Sequence, residues 1–503
     1  MTKIGTAPGF TWSAEETRRI GYRVVDMIAE YLETLPEKPV FQPLPPERVA
    51  AFRAAPLPER GETADAVLDA FGRDVAPWPF GNGHPRFFGW VNGPPAPIGI
   101  MAEALAAAMN PSVAGGNQAA VHLEHQVIGW FRQLLGFPES SYGHLVSGAS
   151  AASIVALAAA RHAACARRGW DVRAAGVQGG AERGRLVVYK GAEGHGCIAK
   201  AVELLGIGGH NLRTVPADAA LRMRPDALDQ MIAADLADGC IPVAVAASAG
   251  TVNTGAIDPL DGIADVCARH GVWLHVDGAY GAPASLVEEY RAPLAGIARA
   301  DSVAVDPHKW MCIPVDAGLV LVRHAQTLRD ALSLVPAYLR TDGDEAGVHG
   351  PPWFSEYSIE QTRPFRALKV WMALRHLGVD GYRALIRHDL DLARHLADRI
   401  RADGGFQIWA PQGLSIVCFR AVPAALAGGE AALDELNRAV VSRVQLGGET
   451  FLSGTVLDGR FWLRACVVNP HATSADVERL ADAVTVQVQE SLTQVSRVST
   501  VRP

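Results

Sequence analysis

The run Asp306-Pro307-His308-Lys309-Trp310 directly follows the apolar stretch Ser302-Val303-Ala304-Val305. This order predicts a buried strand that ends in a tight turn carrying a lysine. Since α/β proteins bind ligands at the carboxyl ends of their strands, Lys309 lies where a ligand is expected. Apolar neighbours on both sides disfavour a charged ammonium and leave a nucleophilic amine. The run therefore predicts an α/β fold with a Schiff-base lysine, although a purely structural lysine would also fit.

A second predicted strand, Gly271-Val272-Trp273-Leu274-His275-Val276-Asp277, ends in a carboxylate and precedes Lys309 in the chain. Pyridoxal phosphate needs a lysine for its aldehyde and an acidic group that keeps its pyridine nitrogen protonated. By itself, Asp277 would equally suit a helix N-cap or a turn. Together with Lys309, it indicates a pyridoxal phosphate site.

A phosphate site is predicted in the stretch Leu145-Val146-Ser147-Gly148-Ala149-Ser150-Ala151-Ala152-Ser153, which leads from an apolar strand into a helix. The free N–H groups and the dipole at a helix N-terminus favour a phosphate, and the serine hydroxyls can add donors. The stretch is neither a Walker loop nor a GxGxxG turn. An ordinary small-residue turn would also fit the pattern.

His195 lies between two glycines, just after the predicted strand 186–189. A histidine on such a loop can approach a planar ligand. The chain has 16 histidines, and an arbitrary one is more often a surface or core residue. The order along the chain favours a functional role, because the phosphate turn, His195, Asp277 and Lys309 each follow a predicted strand.

Composition limits the class of protein. The 503 residues are 49% hydrophobic and 20% charged, with a net charge of -7 and no basic block, so we expect no nucleic-acid partner. The seven cysteines are scattered without a CxxC pair, which is typical of reduced thiols in a cytoplasmic protein and predicts no metal site. No signal sequence or apolar run of about 20 residues is present, so we expect no membrane partner.

Three regions are predicted along the chain. Residues 1–95 are an N-terminal helical arm, with one helix that starts near Ser13 and a second over about Thr63 to Phe71. The arm cannot bury its apolar stripe alone, so we expect it to pack on a partner subunit. Residues 96–372 alternate strands and helices, which predicts a large α/β domain with a mostly parallel sheet. Residues 373–503 are predicted to form a small α+β domain.

The chain resembles the group II pyridoxal-phosphate decarboxylases, the aromatic-L-amino-acid decarboxylase family, over nearly its whole length. Motifs that carry the resemblance follow one another in the family's order: His84-Pro85-Arg86-Phe87-Phe88, Ser147-Gly148-Ala149-Ser150, Gly250-Thr251, His275 to Tyr280, Asp306 to Trp310, Arg366 to Trp371, and Leu463-Arg464 before Asn469-Pro470. The resemblance implies a PLP-dependent transferase type I fold and a homodimer with active sites at the subunit interface.

The resemblance also implies residue roles. Lys309 matches the Schiff-base lysine, Asp277 the pyridinium partner and His195 the imidazole that stacks on the cofactor ring. Further cofactor contacts are implied for Ala149, Ser150, Thr251, Ala279, Asp306 and His308, and substrate contacts for Phe88, Trp90 and Gly93. Asp306 stands where many members have Asn, which puts a carboxylate near the phosphate unless it points away. Tyr338, in a catalytic loop at about 335–356, matches the tyrosine that protonates the carbanion.

The implied reaction is decarboxylation of an L-amino acid, of the Trp, Tyr, Phe or DOPA type, to the amine and CO₂. One alternative is an aldehyde synthase, which in the family is associated with loss of the loop tyrosine or the stacking histidine. Both residues are present here. A second is a decarboxylase of acidic amino acids, which would need an extra cation in the pocket; Arg86 is the candidate. A third is a non-catalytic binding protein on the same fold.

Overall fold

The computed structural model describes residues 10–81, 83–334 and 347–499. In the first half of the chain the elements are α1 (Ala14–Thr34), α2 (Pro46–Ala54), α3 (Ala64–Asp74), β1 (Phe87–Phe88), α4 (Pro97–Met109), α5 (Ala119–Leu135), β2 (Tyr142–Val146), α6 (Ala149–Ala166), α7 (Val172–Ala175), β3 (Leu186–Gly191), α8 (Gly196–Leu204), β4 (Leu212–Val215), α9 (Pro225–Ala237) and β5 (Ile241–Ser248). The second half adds α10 (Leu260–His270), β6 (Trp273–Asp277), α11 (Glu288–Leu294), β7 (Ser302–Val305), β8 (Gly318–Val322), α12 (Ala325–Leu332), α13 (Arg366–Ala402), β9 (Phe406–Ile408), β10 (Ile416–Ala421), α14 (Glu430–Gly447), β11 (Phe451–Leu457), β12 (Arg460–Cys466) and α15 (Ser474–Ser499).

The two predicted N-terminal helices begin where the sequence placed them, each with a side-chain cap. Ser13 Oγ accepts the backbone N–H of Glu16 at 3.0 Å, and Thr63 Oγ1 accepts that of Ala66 at 3.2 Å. Helix α2 was not predicted, because it lies in the proline-rich connector. Pro46 is its first residue, a position where the missing N–H costs no helical hydrogen bond.

The large sheet has the order β2-β8-β7-β6-β5-β3-β4. Strand β8 is antiparallel to both neighbours, and the other pairs are parallel, as predicted. Along β3, Val187 and Tyr189 face one core, and Leu186 and Val188 face the other. Both faces are thus covered, which explains the continuous apolar runs of these strands.

Helix α6 supports the sheet beneath the predicted phosphate turn. By length and apolar composition it could cross a membrane, a property that was not predicted from the sequence. In this fold 61% of it is buried, and it packs against β5, β7 and β8 as a core helix.

The second sheet has the order β1-β11-β12-β10-β9 and includes a strand from the N-terminal region. Phe87 and Phe88 pair in parallel with Phe451 and Leu452. The predicted arm of residues 1–95 is therefore tied into the C-terminal sheet at its end. The predicted border at 372/373 falls inside α13, where Gly378 has a φ of 66° and interrupts the helix.

Candidate active site

A cavity of about 390 Å³ lies where β3, β5, β6 and β7 end. All the residues predicted to contact a cofactor line it: Ala149, Ser150, His195, Thr251, Asp277, Ala279, Asp306, His308 and Lys309. They come from separate strand ends that a parallel sheet brings to one edge.

The lysine corner follows β7. Lys309 Nζ lies 3.0 Å from Asp306 Oδ2, and 25% of the lysine side chain is exposed. Val305 and Trp310 are buried, as the apolar run suggested. The expectation that the amine itself has apolar surroundings was wrong, because its nearest charged neighbour is a carboxylate three residues earlier. The apolar side chains enter the core, while the lysine turns towards the cavity.

The phosphate turn contacts the lysine corner directly. Asp306 Oδ1 accepts the N–H of Ala149, the first residue of α6, at 2.6 Å. The carboxylate therefore points towards the turn and not away from it. Ser150 and Ala151 also line the cavity at the start of α6, where the N–H groups have no partner within the helix. They remain available for an anion.

His308 closes the other side of the turn. Its Nδ1 accepts the N–H of Ala317 at 3.1 Å, and burial lowers the pKa of this histidine. The neutral ring then carries its proton on Nε2, which lies 3.7 Å from Asp306 Oδ2. A β-carbon on Gly148 would meet His308 Cε1 at 3.3 Å, so the turn is packed closely against this ring.

Asp277 is the last residue of β6 and faces the cavity. Its Oδ1 accepts the N–H of Ala279 at 3.2 Å, and its Oδ2 lies 4.0 Å from Cys197 Sγ. His195 caps α8, and its Nδ1 accepts the N–H of Cys197 at 3.2 Å. The His195 ring is exposed in the single chain. Buried Thr251 accepts the N–H of Ala256 at 3.1 Å within the turn after β5.

The predicted substrate residues lie outside the cavity wall. Phe88 is fully buried in the small-domain core, because β1 directs its side chain inward. Trp90 stacks on Phe80 with ring centres 5.2 Å apart and is 45% exposed. Gly93 packs beneath the lysine corner, where a β-carbon would lie 2.3 Å from Lys309 O. In the described part of the chain, Val91 is the residue of this segment that lines the cavity.

Two further predictions concern charged or polar groups. Arg86, the candidate anchor for an acidic substrate, donates from Nε to Glu449 O at 2.7 Å and from Nη2 to Pro36 O at 3.2 Å. It lies outside the lining of the cavity and joins the arm to the small domain. Tyr338 lies outside the described residues.

Several lining residues were not predicted from the sequence, above all Cys197, Ser248 and Val315. Ser248 ends β5, and a polar residue directly after an apolar strand could have been predicted to face the site. Cys197 faces the cavity because it lies in the first turn of α8, which begins at Gly196. Its position two residues after His195 could have indicated this from the sequence. Val315 lies in an irregular segment after the lysine corner, and no sequence pattern places it.

Comparison with known proteins identifies the family. Residues 46–422 match the family model described as the pyridoxal-dependent decarboxylase conserved domain. The chain belongs to the pyridoxal-dependent decarboxylases. Relatives include the aromatic-L-amino-acid decarboxylase of Bacillus atrophaeus, 34% identical over 95% of this chain and 96% of the relative. Tryptophan decarboxylase 2 of Oryza sativa subsp. japonica is 31% identical over 96% and 95%, and phenylacetaldehyde synthase of Arabidopsis thaliana is 31% identical over 91% and 92%.

Solved structures agree with the type I fold. The crystal structure of Oryza sativa TDC with PLP and tryptamine superimposes with a TM-score of 0.89 at 29% identity, over 97% of this chain and 100% of the other. The cofactor of this decarboxylase is thus pyridoxal phosphate. The cavity fits it, because one space holds a lysine amine, a carboxylate at a strand end and a helix N-terminus.

Proposed function

We propose that this decarboxylase acts on an aromatic L-amino acid and releases the amine and CO₂ as a cytoplasmic homodimer. The observation that carries the proposal is the joint placement of Lys309, Asp277, His195 and the phosphate turn around one cavity. These four features concern the cofactor and not the substrate side chain. They therefore support the reaction class independently of the substrate.

The charges around the cavity support an aromatic substrate over an acidic one. Among the described lining residues, the strongly basic group is Lys309, which the cofactor requires. An acidic side chain would need a further cation, and Arg86 is held by Glu449 O and Pro36 O and lies 3.8 Å from Asp476. Relatives named for tryptophan and aromatic amino acids support the same choice.

The chain's own residues have separate tasks in this reaction. Pyridoxal phosphate, when bound, supplies an electron sink for the carbon that loses CO₂. Asp277 Oδ2 would hold a proton on the ring nitrogen, and Lys309 Nζ would anchor the aldehyde carbon. The N–H groups of Ser150 and Ala151 would hold the phosphate. We assign the return of a proton to the substrate α-carbon to Tyr338.

Exposed apolar surface on the N-terminal helices supports the homodimer. Large apolar side chains of α1, α3 and α4 are exposed in the single chain: Tyr22, Val24, Val25, Val67, Phe71, Met101, Leu105 and Met109. A groove of about 650 Å³ runs between α1 and α3. Exposed apolar surface of this kind marks an interaction site, and a second arm would cover it.

The test is an incubation of the cofactor-loaded enzyme with the twenty amino acids, dihydroxyphenylalanine and 5-hydroxytryptophan. CO₂, amine, aldehyde and hydrogen peroxide are measured together, with the K309A variant as the inactive control. Equimolar amine and CO₂ from an aromatic substrate is the expected result. Turnover of glutamate or aspartate alone would overturn the substrate class.

Aldehyde synthesis is the second candidate function, because the chain is 31% identical in sequence to a phenylacetaldehyde synthase. The matched variant is Y338F, which removes one hydroxyl from the proposed proton donor. We expect the wild type to release amine without peroxide and Y338F to shift towards aldehyde and peroxide. Peroxide from the wild type would assign the oxidative reaction instead.

A further inference from the structure

Cys197 touches both residues that flank the predicted cofactor ring. Its backbone N–H donates to His195 Nδ1 at 3.2 Å, and its thiol lies 4.0 Å from Asp277 Oδ2. Because His195 Nδ1 accepts a hydrogen bond, the proton of the neutral ring is on Nε2. Cys197 thus links His195, which is predicted to stack on the cofactor ring, to Asp277, which is predicted to bind the ring nitrogen.

The thiol is suited to donate to a carboxylate. Burial and the nearby Asp277 charge raise the pKa of Cys197 to about 12, so the sulfur keeps its proton. Asp277 Oδ1 is already used by the N–H of Ala279. A donor at Oδ2 would therefore fix the rotation of the carboxylate about its last bond.

A chain of buried polar groups ends at this thiol. The indole Nε1–H of Trp273 donates to Ser302 Oγ at 2.8 Å, and Ser302 Oγ lies 2.9 Å from His275 Nδ1. His275 Nε2 lies 3.2 Å from Ser153 Oγ, which lies 4.0 Å from Cys197 Sγ. These side chains are buried, so water cannot replace a hydrogen bond that is lost from the chain.

One arrangement of hydrogens satisfies every group of the chain and runs from the indole to Asp277. The indole only donates, so the single hydrogen of Ser302 is free for His275 Nδ1. Burial lowers the pKa of His275 to about 4, so the ring is neutral and carries its proton on Nε2, towards Ser153. The Ser153 hydrogen then points to Cys197, and the thiol hydrogen points to Asp277.

We propose that Cys197 is a positioning residue for the cofactor, which holds His195 through its backbone and Asp277 through its thiol, at the end of the Trp273–Ser302–His275–Ser153 chain. The inference rests on the cofactor of the family and not on the substrate proposed above. Cofactor affinity tests it independently, so failure to find an aromatic substrate would leave it standing.

The main variant is Cys197→Ala, with Cys165→Ala as the matched control. Cys165 is also fully buried in the same core but lies at the far end of α6. The readout is the dissociation constant of pyridoxal phosphate from the cofactor-free protein, measured by absorbance across pH. We expect C197A to bind about five- to tenfold more weakly and C165A to bind like the wild type.

The pH profile separates positioning from packing. A donor favours the charged form of a carboxylate, so the acid limb of the affinity profile should move to higher pH in C197A and stay in place in C165A. Ser153→Ala, which breaks the chain one link earlier, should give a smaller shift in the same direction. Wild-type affinity and profile in C197A, or equal losses in both alanine variants, would overturn the proposal.

Cys197→Ser keeps the test decisive if C197A does not fold. Serine is nearly isosteric, but its C–O bond is shorter than a C–S bond, so the hydroxyl falls short of Asp277 Oδ2. We therefore expect C197S to weaken cofactor binding as C197A does. A serine variant with wild-type affinity would show that the thiol contact is not required.

Discussion

Trp310 Nε1 donates a 2.8 Å hydrogen bond to Asp389 Oδ2, which joins the residue after the cofactor lysine to helix α13. Trp310 is fully buried and also stacks on Tyr280, with ring centres 5.0 Å apart. The lysine corner is therefore held from two sides by elements distant in sequence. Burial raises the pKa of Asp389, and the indole and His388 are its side-chain hydrogen-bonding partners.

Replacing Asp389 by alanine should leave the indole N–H without a partner in the core. We expect a loss of about 2–3 kcal/mol in the free energy of unfolding, measured with urea at fixed protein concentration. D389N, whose amide oxygen still accepts, should lose clearly less. Equal losses in the two variants would mean that the hydrogen bond to Trp310 contributes little.

Gly93→Ala should disturb the lysine directly. A β-carbon at this position would lie 2.3 Å from Lys309 O, and a backbone carbonyl cannot move aside without carrying Lys309 along. We expect kcat to fall about ten- to hundredfold, measured in single-turnover experiments with saturating cofactor. Gly129→Ala on α5, where the nearest atom is a flexible arginine end at 3.6 Å, is the control and should retain full activity.

Asp306→Asn should tighten cofactor binding. The amide oxygen can still accept the N–H of Ala149, while the negative charge beside the phosphate turn is removed. Lys309 also loses the carboxylate that lies 3.0 Å from its amine. We expect the dissociation constant of pyridoxal phosphate to fall about three- to tenfold at low salt, with the difference narrowing at high salt. Weaker binding in D306N would show that the carboxylate orients the lysine.

The ion pair of Arg363 and Glu124 should dominate stability near the phosphate turn. Both side chains are fully buried and 2.5 Å apart, and they also bind the N–H and C=O of Leu145 on β2. E124Q removes the nearest opposite charge of the buried guanidinium and leaves Glu360, 3.8 Å from Arg363 Nε, so we expect a loss of about 3 kcal/mol in urea unfolding. The double variant R363M/E124M should lose less than the sum of R363M and E124M. Additive losses would show that the two charges do not stabilise each other.

Stability should fall between pH 6.5 and pH 4. Burial lowers the pKa of His84, His125 and His275 to about 4, whereas a histidine in the unfolded chain titrates near 6.5. In this window the histidines are protonated in the unfolded chain and neutral in the folded one. Each of them therefore lowers the free energy of unfolding as the pH falls. Asp258, whose pKa burial raises to about 6, acts in the opposite direction.

Urea midpoints at pH 7.5 and pH 5 measure this dependence. We expect the midpoint to be lower at pH 5 and the difference to shrink in H84N, whose side-chain amide does not titrate. A wild-type midpoint that rises at pH 5 would contradict the assignment, because the carboxyls with a raised pKa, such as Asp258 and Asp389, would then outweigh the histidines.

Sequence patterns predicted the elements that build the site. Strand β7 matches its predicted bounds, and the strand predicted over 271–277 is found at Trp273–Asp277. These strands are buried on both faces, so their apolar runs are unbroken and the turn residues that follow stand out. Helix α2 was missed because its prolines suggested a connector, although Pro46 begins a helix there.

Side-chain direction was the part that patterns could not supply. Phe88, Trp90 and Gly93 were assigned to the substrate together, yet one enters the small-domain core, one stacks on Phe80 and one supports Lys309. Cys197 was missed and Arg86 was wrongly placed for the same reason. Their partners, Asp277 and Glu449, are distant in sequence, so no local signal reveals them.

The sequence by itself determined the α/β class, the order of the strands that carry Lys309, Asp277 and His195, and the phosphate turn. These features depend on local periodicity and on small residues at strand ends. Interactions between residues close in sequence determine both. Tertiary structure alone decided that Asp306 accepts the N–H of Ala149, that Arg86 is held outside the cavity and that a buried polar chain reaches Asp277. Such contacts join residues far apart in sequence, and only packing of the two sheets and their helices brings them within hydrogen-bonding distance.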